Sequence, residues 1–166
     1  MSDKHYNVLF ICTGNSARSI IAEAVLNTLG GDRFHAYSAG SHPRGGVHPM
    51  TLEVLKEQGC NTEGLRSKSW DEFAAPDAPA LDMVFTVCDK AAGEICPVWP
   101  GQPITAHWGF PDPAAVEGDA AAQRRAFATS AFEITNRLRQ LMSLPIGTLD
   151  RISLQNELRA MGARKA

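Results

Sequence analysis

Apolar residues in this chain alternate between short continuous runs and longer stretches in which they recur every three or four positions. Residues 6–11 are almost entirely apolar, which is typical of a strand in a sheet that is covered on both faces. Three later segments have similar runs. The predicted strands are residues 6–11, 35–39, 81–87 and 104–108.

Helical spacing occupies the stretches between and after these strands. Residues 16–29 predict a helix, because Ile21, Val25 and Leu29 recur every four positions and Gly30 follows. Residues 49–58 and 120–142 predict two more helices. Strands and helices alternate, which predicts an α/β fold. We expect a single-domain three-layer sandwich, with helices on both faces of a four-stranded parallel sheet.

The composition supports one compact domain. The chain has 166 residues, and 44% of them are hydrophobic, which is enough for a proper core. We assign residues 1–145 to the domain and residues 146–166 to a C-terminal helical extension. In the extension, Leu154, Leu158 and Met161 can line one face of a helix, which predicts that it packs back on the domain.

Charge and hydropathy limit the compartment and the partners. The formal net charge of −2 gives no general affinity for nucleic acid or for an anionic membrane. No apolar stretch is long enough for a signal peptide or a transmembrane helix. We therefore expect a cytoplasmic monomer without nucleic-acid or membrane partners. In a reducing compartment, its four cysteines are expected to be catalytic, redox-active or metal-binding instead of forming structural disulfides.

The segment after the first predicted strand combines a thiol, a glycine and an arginine. Cys12 stands at the strand end, and Arg18 follows six positions later at the start of the predicted helix. The loop N–H groups and the helix N-terminus favour an anion, and the same field lowers the pKa of Cys12. Ser19 can donate a further hydrogen bond to the thiolate. The predicted oxyanion loop comprises Thr13, Gly14, Asn15, Ser16, Ala17 and Arg18.

Simpler interpretations of the cysteines explain fewer features of the sequence. A strand-end cysteine can stand near an arginine by chance, but here a Gly-Asn turn and a serine N-cap follow in the order that an anion loop requires. Cys88 and Cys96 could bind zinc, but seven residues separate them and no second ligand pair with zinc spacing follows. The sequence therefore predicts an oxyanion site and no bound metal.

Four segments resemble the low-molecular-weight protein tyrosine phosphatase superfamily, and within it the arsenate reductases that use three cysteines. The segments, in the order of that family, are residues 8–19, 34–40, 87–97 and 107–114. The first contains the anion loop, the third contains Cys88 and Cys96, and the fourth contains Asp112. The resemblance implies the phosphatase-like fold and the reduction of arsenate, for which phosphate and sulfate are mimics.

The resemblance also implies a role for each of these residues. Cys12 would attack arsenic, and Asp112 would donate a proton to the departing oxygen. Cys88 would then attack the sulfur of Cys12 and release arsenite, and Cys96 would take over the disulfide. An external thiol reductant would reset the enzyme, with no bound cofactor. Thioredoxin is favoured because Cys96 can act as a resolving thiol, and glutathione with glutaredoxin is the alternative.

The chain departs from the family pattern at several positions. The spacing between Cys88 and Cys96 is one residue longer than in thioredoxin-linked members, and Ala17 stands where some members have a second loop cysteine. Cys60 matches no family position and is interpreted as structural or as a bystander.

Three residues resemble the positions that hold a potassium ion in some reductases: Asn15, Glu23 and Ser38. Glu23 is explained equally well as a solvated helix residue, so no bound metal is predicted. Asparagine tolerates the left-handed backbone conformation, so Asn15 is expected to adopt it in the loop.

Two other functions are consistent with the anion loop. A phosphatase would use Cys12, Arg18 and Asp112 in the same way and form a phosphocysteine that water cleaves. It would not need Cys88 and Cys96, and a phosphotyrosine pocket requires aromatic walls, where this chain has two alanines after Pro113. A non-catalytic oxyanion-binding module would likewise have no use for the downstream thiols. Arsenate reduction explains the largest number of residues.

Overall fold

The structure is a computed structural model that describes residues 5–88, 99 and 102–163. The described strands are β1 (Tyr6–Cys12), β2 (Phe34–Gly40), β3 (Met83–Thr86) and β4 (Ile104–His107). The described helices are α1 (Arg18–Gly30), α2 (Pro49–Glu57), α3 (Asp71–Ala74), α4 (Ala120–Ser143) and α5 (Arg151–Ala163). Short 3-10 helices occur at Pro113–Ala115 and Ile146–Thr148. Within the described ranges, none of the helices combines the length and the apolar character needed to span a bilayer.

The strands form one parallel sheet in the order β2-β1-β3-β4. In its register, Val8 of β1 lies between Ala36 of β2 and Met83 of β3. Successive side chains of a strand point to opposite faces, and Val8 and Leu9 are both fully buried. Both faces of the sheet are therefore covered, and the predicted four-stranded parallel α/β fold is confirmed.

Aromatic side chains fill the layers on both faces of this sheet. On one face Phe85 stacks on Phe10 and on Trp108, with ring centroids 5.7 Å and 3.9 Å apart. Tyr37 of β2 contacts Phe73 of α3, with ring centroids 5.5 Å apart. The sequence did not predict α3, because four residues are too few to show a helical period.

The start of α1 differs from the prediction. The helix begins at Arg18, two residues later than expected, and Ala17 holds the N-cap position without a side-chain cap. The carbonyl oxygen of Ser16 accepts hydrogen bonds from His48 N at 3.0 Å and from Thr51 Oγ1 at 2.9 Å. These contacts hold Ser16 in the loop, so the prediction of a serine cap is wrong.

Both edges of the sheet are covered by side chains from neighbouring helices. Asn27 of α1 donates to the carbonyl oxygen of Ala36 and accepts from its N–H, at 3.0 Å and 2.8 Å. On the opposite edge, Arg159 of α5 donates to the carbonyl oxygen of Thr105 in β4 at 3.1 Å. An edge strand whose polar groups are occupied is protected from pairing with another chain.

The C-terminal helix packs against β4 and the residues that follow it. Its buried face consists of Leu154, Leu158 and Met161. Trp108 donates from Nε1 to the carbonyl oxygen of Leu158 at 2.9 Å, and the buried Arg137 of α4 donates to the carbonyl oxygen of Met161. The extension thus contributes to the packing around Trp108. The division into residues 1–145 and 146–166 stays a prediction.

Candidate active site

The loop between β1 and α1 borders a cavity of about 440 Å³ at the carboxyl edge of the sheet, where ligands of parallel sheets bind. The cavity is lined by Cys12, Thr13, Gly14, Ser16, Ala17, Arg18, His42, Arg44, Cys88, Phe110, Pro111, Asp112 and Ala114. The structure therefore brings Cys12, Arg18, Cys88 and Asp112 together. Cys96 lies outside the described residues.

Surrounding residues bind the carbonyl oxygens of the loop. His42 N donates to Thr13 O at 2.9 Å, and Arg44 N donates to Gly14 O at 3.0 Å. Ser67 Oγ donates to Gly14 O at 3.2 Å. In a trans peptide the N–H and the C=O point in opposite directions. The carbonyls of Thr13 and Gly14 point to these surrounding residues, so the N–H groups of the same two peptides point to the opposite side of the loop. Such N–H groups suit an anion.

Asn15 shapes the loop from its buried centre. Its φ of 46° is in the left-handed region, as expected. Its Oδ1 accepts from Lys68 N and its Nδ2 donates to Ser19 Oγ, both at 2.8 Å. The bonded neighbour of the Ser19 hydroxyl is thus Asn15, and the role of Ser19 toward Cys12 stays a prediction.

Two thiols meet at the base of the cavity. Cys12 ends β1 and Cys88 follows β3, its neighbour in the sheet, and both side chains are buried. The two side chains line the same cavity, close enough for Cys88 to influence the pKa of Cys12. Cys88 Sγ also lies 3.3 Å from Thr13 N and 3.5 Å from Thr13 Oγ1.

The hydrogen bond with Cys88, followed by burial, raises the pKa of the Cys12 thiol above its ordinary value. The Arg18 charge and the Thr13 N–H act in the opposite direction, as the sequence predicted. Their influence on the pKa is smaller, so the net direction is opposite to the predicted lowering. The prediction considered the loop alone and did not include a second thiol in contact with Cys12.

Arg18 is positioned by the segment after β4. Its Nη1 donates to the carbonyl oxygen of Phe110 at 2.9 Å, and its Nη2 lies 3.7 Å from Asp112 Oδ2. The buried Nε has no hydrogen-bond partner in the described part of the protein. A guanidinium that still has an unused N–H can donate a further hydrogen bond to an oxyanion in the cavity.

Asp112 lies at the mouth of the cavity, and its side chain remains about one-third exposed, at 35%. Its Oδ1 accepts a hydrogen bond from Ala114 N at 3.0 Å and caps the short helix Pro113–Ala115. While Oδ1 caps this turn, Oδ2 faces Arg18 and the cavity. The placement is suitable for a proton donor to a group that leaves toward the mouth.

A buried ion pair lies behind the loop. Lys68 Nζ is 3.8 Å from Glu23 Oε1, and Ser38 Oγ donates to the same oxygen. Burial raises the pKa of Glu23 and lowers the pKa of Lys68, while their mutual attraction opposes both changes. The Lys68 ammonium already supplies a positive charge beside Glu23, one of the three residues that resemble a potassium site. These residues therefore do not fit a resident potassium ion. The described residues contain no cluster of three or more His, Cys, Asp or Glu side chains that could hold a metal.

Sequence reasoning missed several contributors to the site, among them His42 and Ser67, which bind the loop carbonyls. Three others are Arg44, which lines the cavity, Lys68, whose N–H binds Asn15 and whose Nζ lies beside Glu23, and the Phe110 carbonyl, which binds Arg18. Arg44 follows β2, and the carboxyl end of β2 meets the same edge of the sheet as the end of β1. Its place in the sequence could therefore have indicated that it lies near the oxyanion loop. Lys68 and Phe110 reach the site through tertiary contacts that no local pattern encodes.

Fold and site together define a class: parallel α/β proteins in which a cysteine at a strand end faces an anion loop closed by an arginine. The profile of the family described as low molecular weight phosphotyrosine protein phosphatase matches residues 7–158. The chain belongs to this family, and the predicted resemblance to it is confirmed.

Several relatives are arsenate reductases. The arsenate reductase of Halalkalibacterium halodurans is 36% identical over 132 residues, which cover 80% of this chain and 91% of the relative. A structure of a thioredoxin-dependent arsenate reductase from Corynebacterium glutamicum is 30% identical with a TM-score of 0.60, covering 86% of this chain and 62% of that one. An arsenate reductase solved in a phosphate-binding state is 27% identical with a TM-score of 0.65, covering 83% and 97%.

Proposed function

We propose that this protein is an arsenate reductase that converts arsenate to arsenite. The observation that carries the proposal is the contact between Cys12 and Cys88 at the base of an anion cavity. Hydrolysis of a covalent adduct needs one thiol, whereas a second thiol beside the first gives the adduct a route to a disulfide. The arsenate reductases among its relatives support the same activity.

The first step forms the adduct. The Cys12 thiolate attacks arsenic(V), and a sulfur–arsenic bond replaces an arsenic–oxygen bond. Asp112 gives its proton to the departing hydroxyl group, which leaves as water. The loop N–H groups and Arg18 hold the remaining oxygens and stabilise the negative charge that they carry.

The second step reduces arsenic. The Cys88 thiolate attacks the sulfur of Cys12, the sulfur–arsenic bond breaks, and its electron pair passes to arsenic. Arsenic leaves as arsenite in the +3 state, and Cys12 and Cys88 form a disulfide. Disulfide formation requires Cα atoms within about 7 Å. Contact between the thiols before the reaction supports this step.

The third step regenerates the nucleophile. Cys96 attacks Cys88, and the disulfide moves to the Cys88–Cys96 pair while Cys12 becomes a free thiol again. Thioredoxin supplies two electrons to reduce this pair, as the thioredoxin dependence of the Corynebacterium relative suggests. Cys96 lies outside the described residues, so its part rests on the sequence. We place the reaction in the cytoplasm, where thiol reductants are kept reduced.

A coupled assay tests the proposal. Purified protein with thioredoxin, thioredoxin reductase and NADPH is expected to oxidise NADPH when arsenate is added, and a parallel reaction contains glutathione and glutaredoxin. C12S should abolish turnover, and C96S should abolish repeated turnover with thioredoxin. C60S is the matched control, since Cys60 does not line the cavity, and should keep full activity. Absence of arsenate-dependent turnover in both systems would overturn the proposal.

Hydrolysis of aryl phosphates is the second candidate activity, because the family includes phosphotyrosine phosphatases. Cys12, Arg18 and Asp112 would form a phosphocysteine in the same geometry. Phe110 is buried at 8% exposure, however, and the residues that line the cavity beside Asp112 are the small Pro111 and Ala114. They offer little surface for stacking a phenol ring, so we expect hydrolysis to be a slow side reaction.

A further inference from the structure

The cavity has a second arginine, Arg44, for which the proposed reaction has no role. Arg44 belongs to the loop that follows β2, and it lines the same cavity as Cys12 and Arg18. Its backbone N–H donates to the carbonyl oxygen of Gly14 at 3.0 Å. This bond fixes the backbone of Arg44 beside the oxyanion loop.

The side chain of Arg44 lies over Gly14. A Cβ atom built on Gly14 would be 2.9 Å from Nε of Arg44, 3.2 Å from its Cγ and 3.3 Å from its Cδ. The absence of a side chain at position 14 therefore leaves room for the aliphatic part of Arg44. Because Arg44 lines the cavity and is exposed, this packing leaves its guanidinium on the solvent side of the cavity.

Arg44 also determines the charge at the rim. The guanidinium of Arg18 is already engaged, since its Nη1 donates to the carbonyl oxygen of Phe110 and its Nη2 lies 3.7 Å from Asp112 Oδ2. Arg44 is exposed, and across the described ranges the structure gives its guanidinium neither a hydrogen bond nor an ion pair. A chain with a net charge of −2 thus presents an uncompensated positive group at the entrance of its anion cavity.

We propose that Arg44 binds the outermost oxygen of an inorganic oxyanion and selects such anions over phosphate esters. The proposal rests on the proposed function, because it assigns a substrate class to the same site. Cys12 attacks from the base of the cavity, so the bond that breaks points to the mouth. In arsenate this corner carries a charged or hydroxyl oxygen, whereas in an ester it carries an organic group. The guanidinium attracts the charged or hydroxyl oxygen of arsenate, whereas the organic group of an ester offers it no comparable hydrogen bond.

Substitution of Arg44 by methionine keeps the aliphatic stem over Gly14 and removes the charge. R44M is expected to raise the KM for arsenate about tenfold, which corresponds to one charge-assisted contact, with kcat nearly unchanged. Hydrolysis of an aryl phosphate should be nearly unaffected. R44K should recover most of the lost affinity. R139M is the matched control, since Arg139 is exposed on α4 and lines a different groove, and it should behave as the parent protein.

Calorimetric titration with inorganic phosphate separates this proposal from the proposed function, because phosphate binding needs no reduction. R44M is expected to weaken phosphate binding about tenfold, and added salt should weaken binding to the parent protein more than to R44M. If the parent protein fails to reduce arsenate but R44M still binds phosphate more weakly, the proposed reductase activity is overturned. The role of Arg44 in oxyanion binding then remains supported. Unchanged phosphate affinity, or equal losses for arsenate and aryl phosphate, would overturn the role of Arg44.

Discussion

At the residue scale, the chemistry depends on two sulfur atoms that are far apart in sequence. β1 and β3 pair in parallel with Ile11 beside Thr86, so the residues after these positions emerge at the same edge of the sheet. This register brings Cys12 and Cys88 into contact, which raises the pKa of Cys12 and places Cys88 next to the sulfur that it is proposed to attack. One contact therefore influences both the nucleophile and the fate of its adduct.

Replacing Cys88 by alanine should lower the pKa of Cys12, because it removes the thiol that contributes most to raising it. A larger fraction of Cys12 is then thiolate at neutral pH. Alkylation of Cys12 by iodoacetamide, followed by peptide mass spectrometry as a function of pH, should show its midpoint at lower pH than in the parent protein. C60A serves as the control. A midpoint that stays in place or moves to higher pH contradicts the assigned cause.

The same C88A variant should still cleave an aryl phosphate slowly, because hydrolysis needs Cys12, Arg18 and Asp112 alone. Its repeated turnover of arsenate should be lost. Loss of both reactions would mean that Cys88 supports the structure of the site and not the transfer of electrons.

Asp112 has two separable roles at this scale. D112N keeps an oxygen that can accept the hydrogen bond from Ala114 N, but it has no proton to donate to the departing oxygen. We expect kcat for arsenate to fall about 100-fold or more, with a smaller change in KM. Asp119 accepts from Ala122 N in the same manner at the start of α4, so D119N is the matched control. Equal activities of D112N and D119N in the coupled assay would exclude Asp112 as the acid.

At the scale of elements, α5 and the loop after β2 act as supports for the site. The loop binds the carbonyl oxygens of the oxyanion loop through His42 N and Arg44 N. α5 packs on β4 and binds Trp108, two residues before the Phe110 carbonyl that accepts from Arg18. Each support fixes a segment that lines the cavity, and the loop after β2 also places the side chain of Arg44 there.

Close packing of α5 on β4 requires glycine at position 162. A Cβ there would overlap the carbonyl oxygen of His107 and crowd the ring of Trp108. G162A should lower the free energy of unfolding by about 1–3 kcal/mol, as expected for overpacking. Gly147 provides the control, since the nearest atom to a Cβ at that position is Tyr6 Oη at 3.8 Å. Thermal or denaturant unfolding of both variants checks this, and equal stabilities would show that α5 is loosely attached.

At the scale of the whole molecule, one hydrophobic core lies on both faces of a sheet whose two edges are covered. The fold class could be predicted because apolar runs and helical spacing are local properties of the sequence, and β1 and α4 were predicted to within one residue at each end. The four-residue helix α3 was missed, since it is shorter than the window in which periodicity can be seen. The serine cap of α1 was wrong because His48 and Thr51 bind Ser16 instead.

The sequence by itself determined the class of the sheet and the anion loop with its cysteine and arginine, since both depend on residues close together in the chain. The role of Asp112 as a candidate acid came from the family resemblance. The tertiary structure decided which groups act on that loop. Cys88 raises the pKa of Cys12, Lys68 supplies a buried cation behind Asn15, and Arg44 sets the charge at the mouth. These effects depend on distances between segments that are remote in sequence. Electrostatic and hydrogen-bond energies follow such distances and not the spacing along the chain.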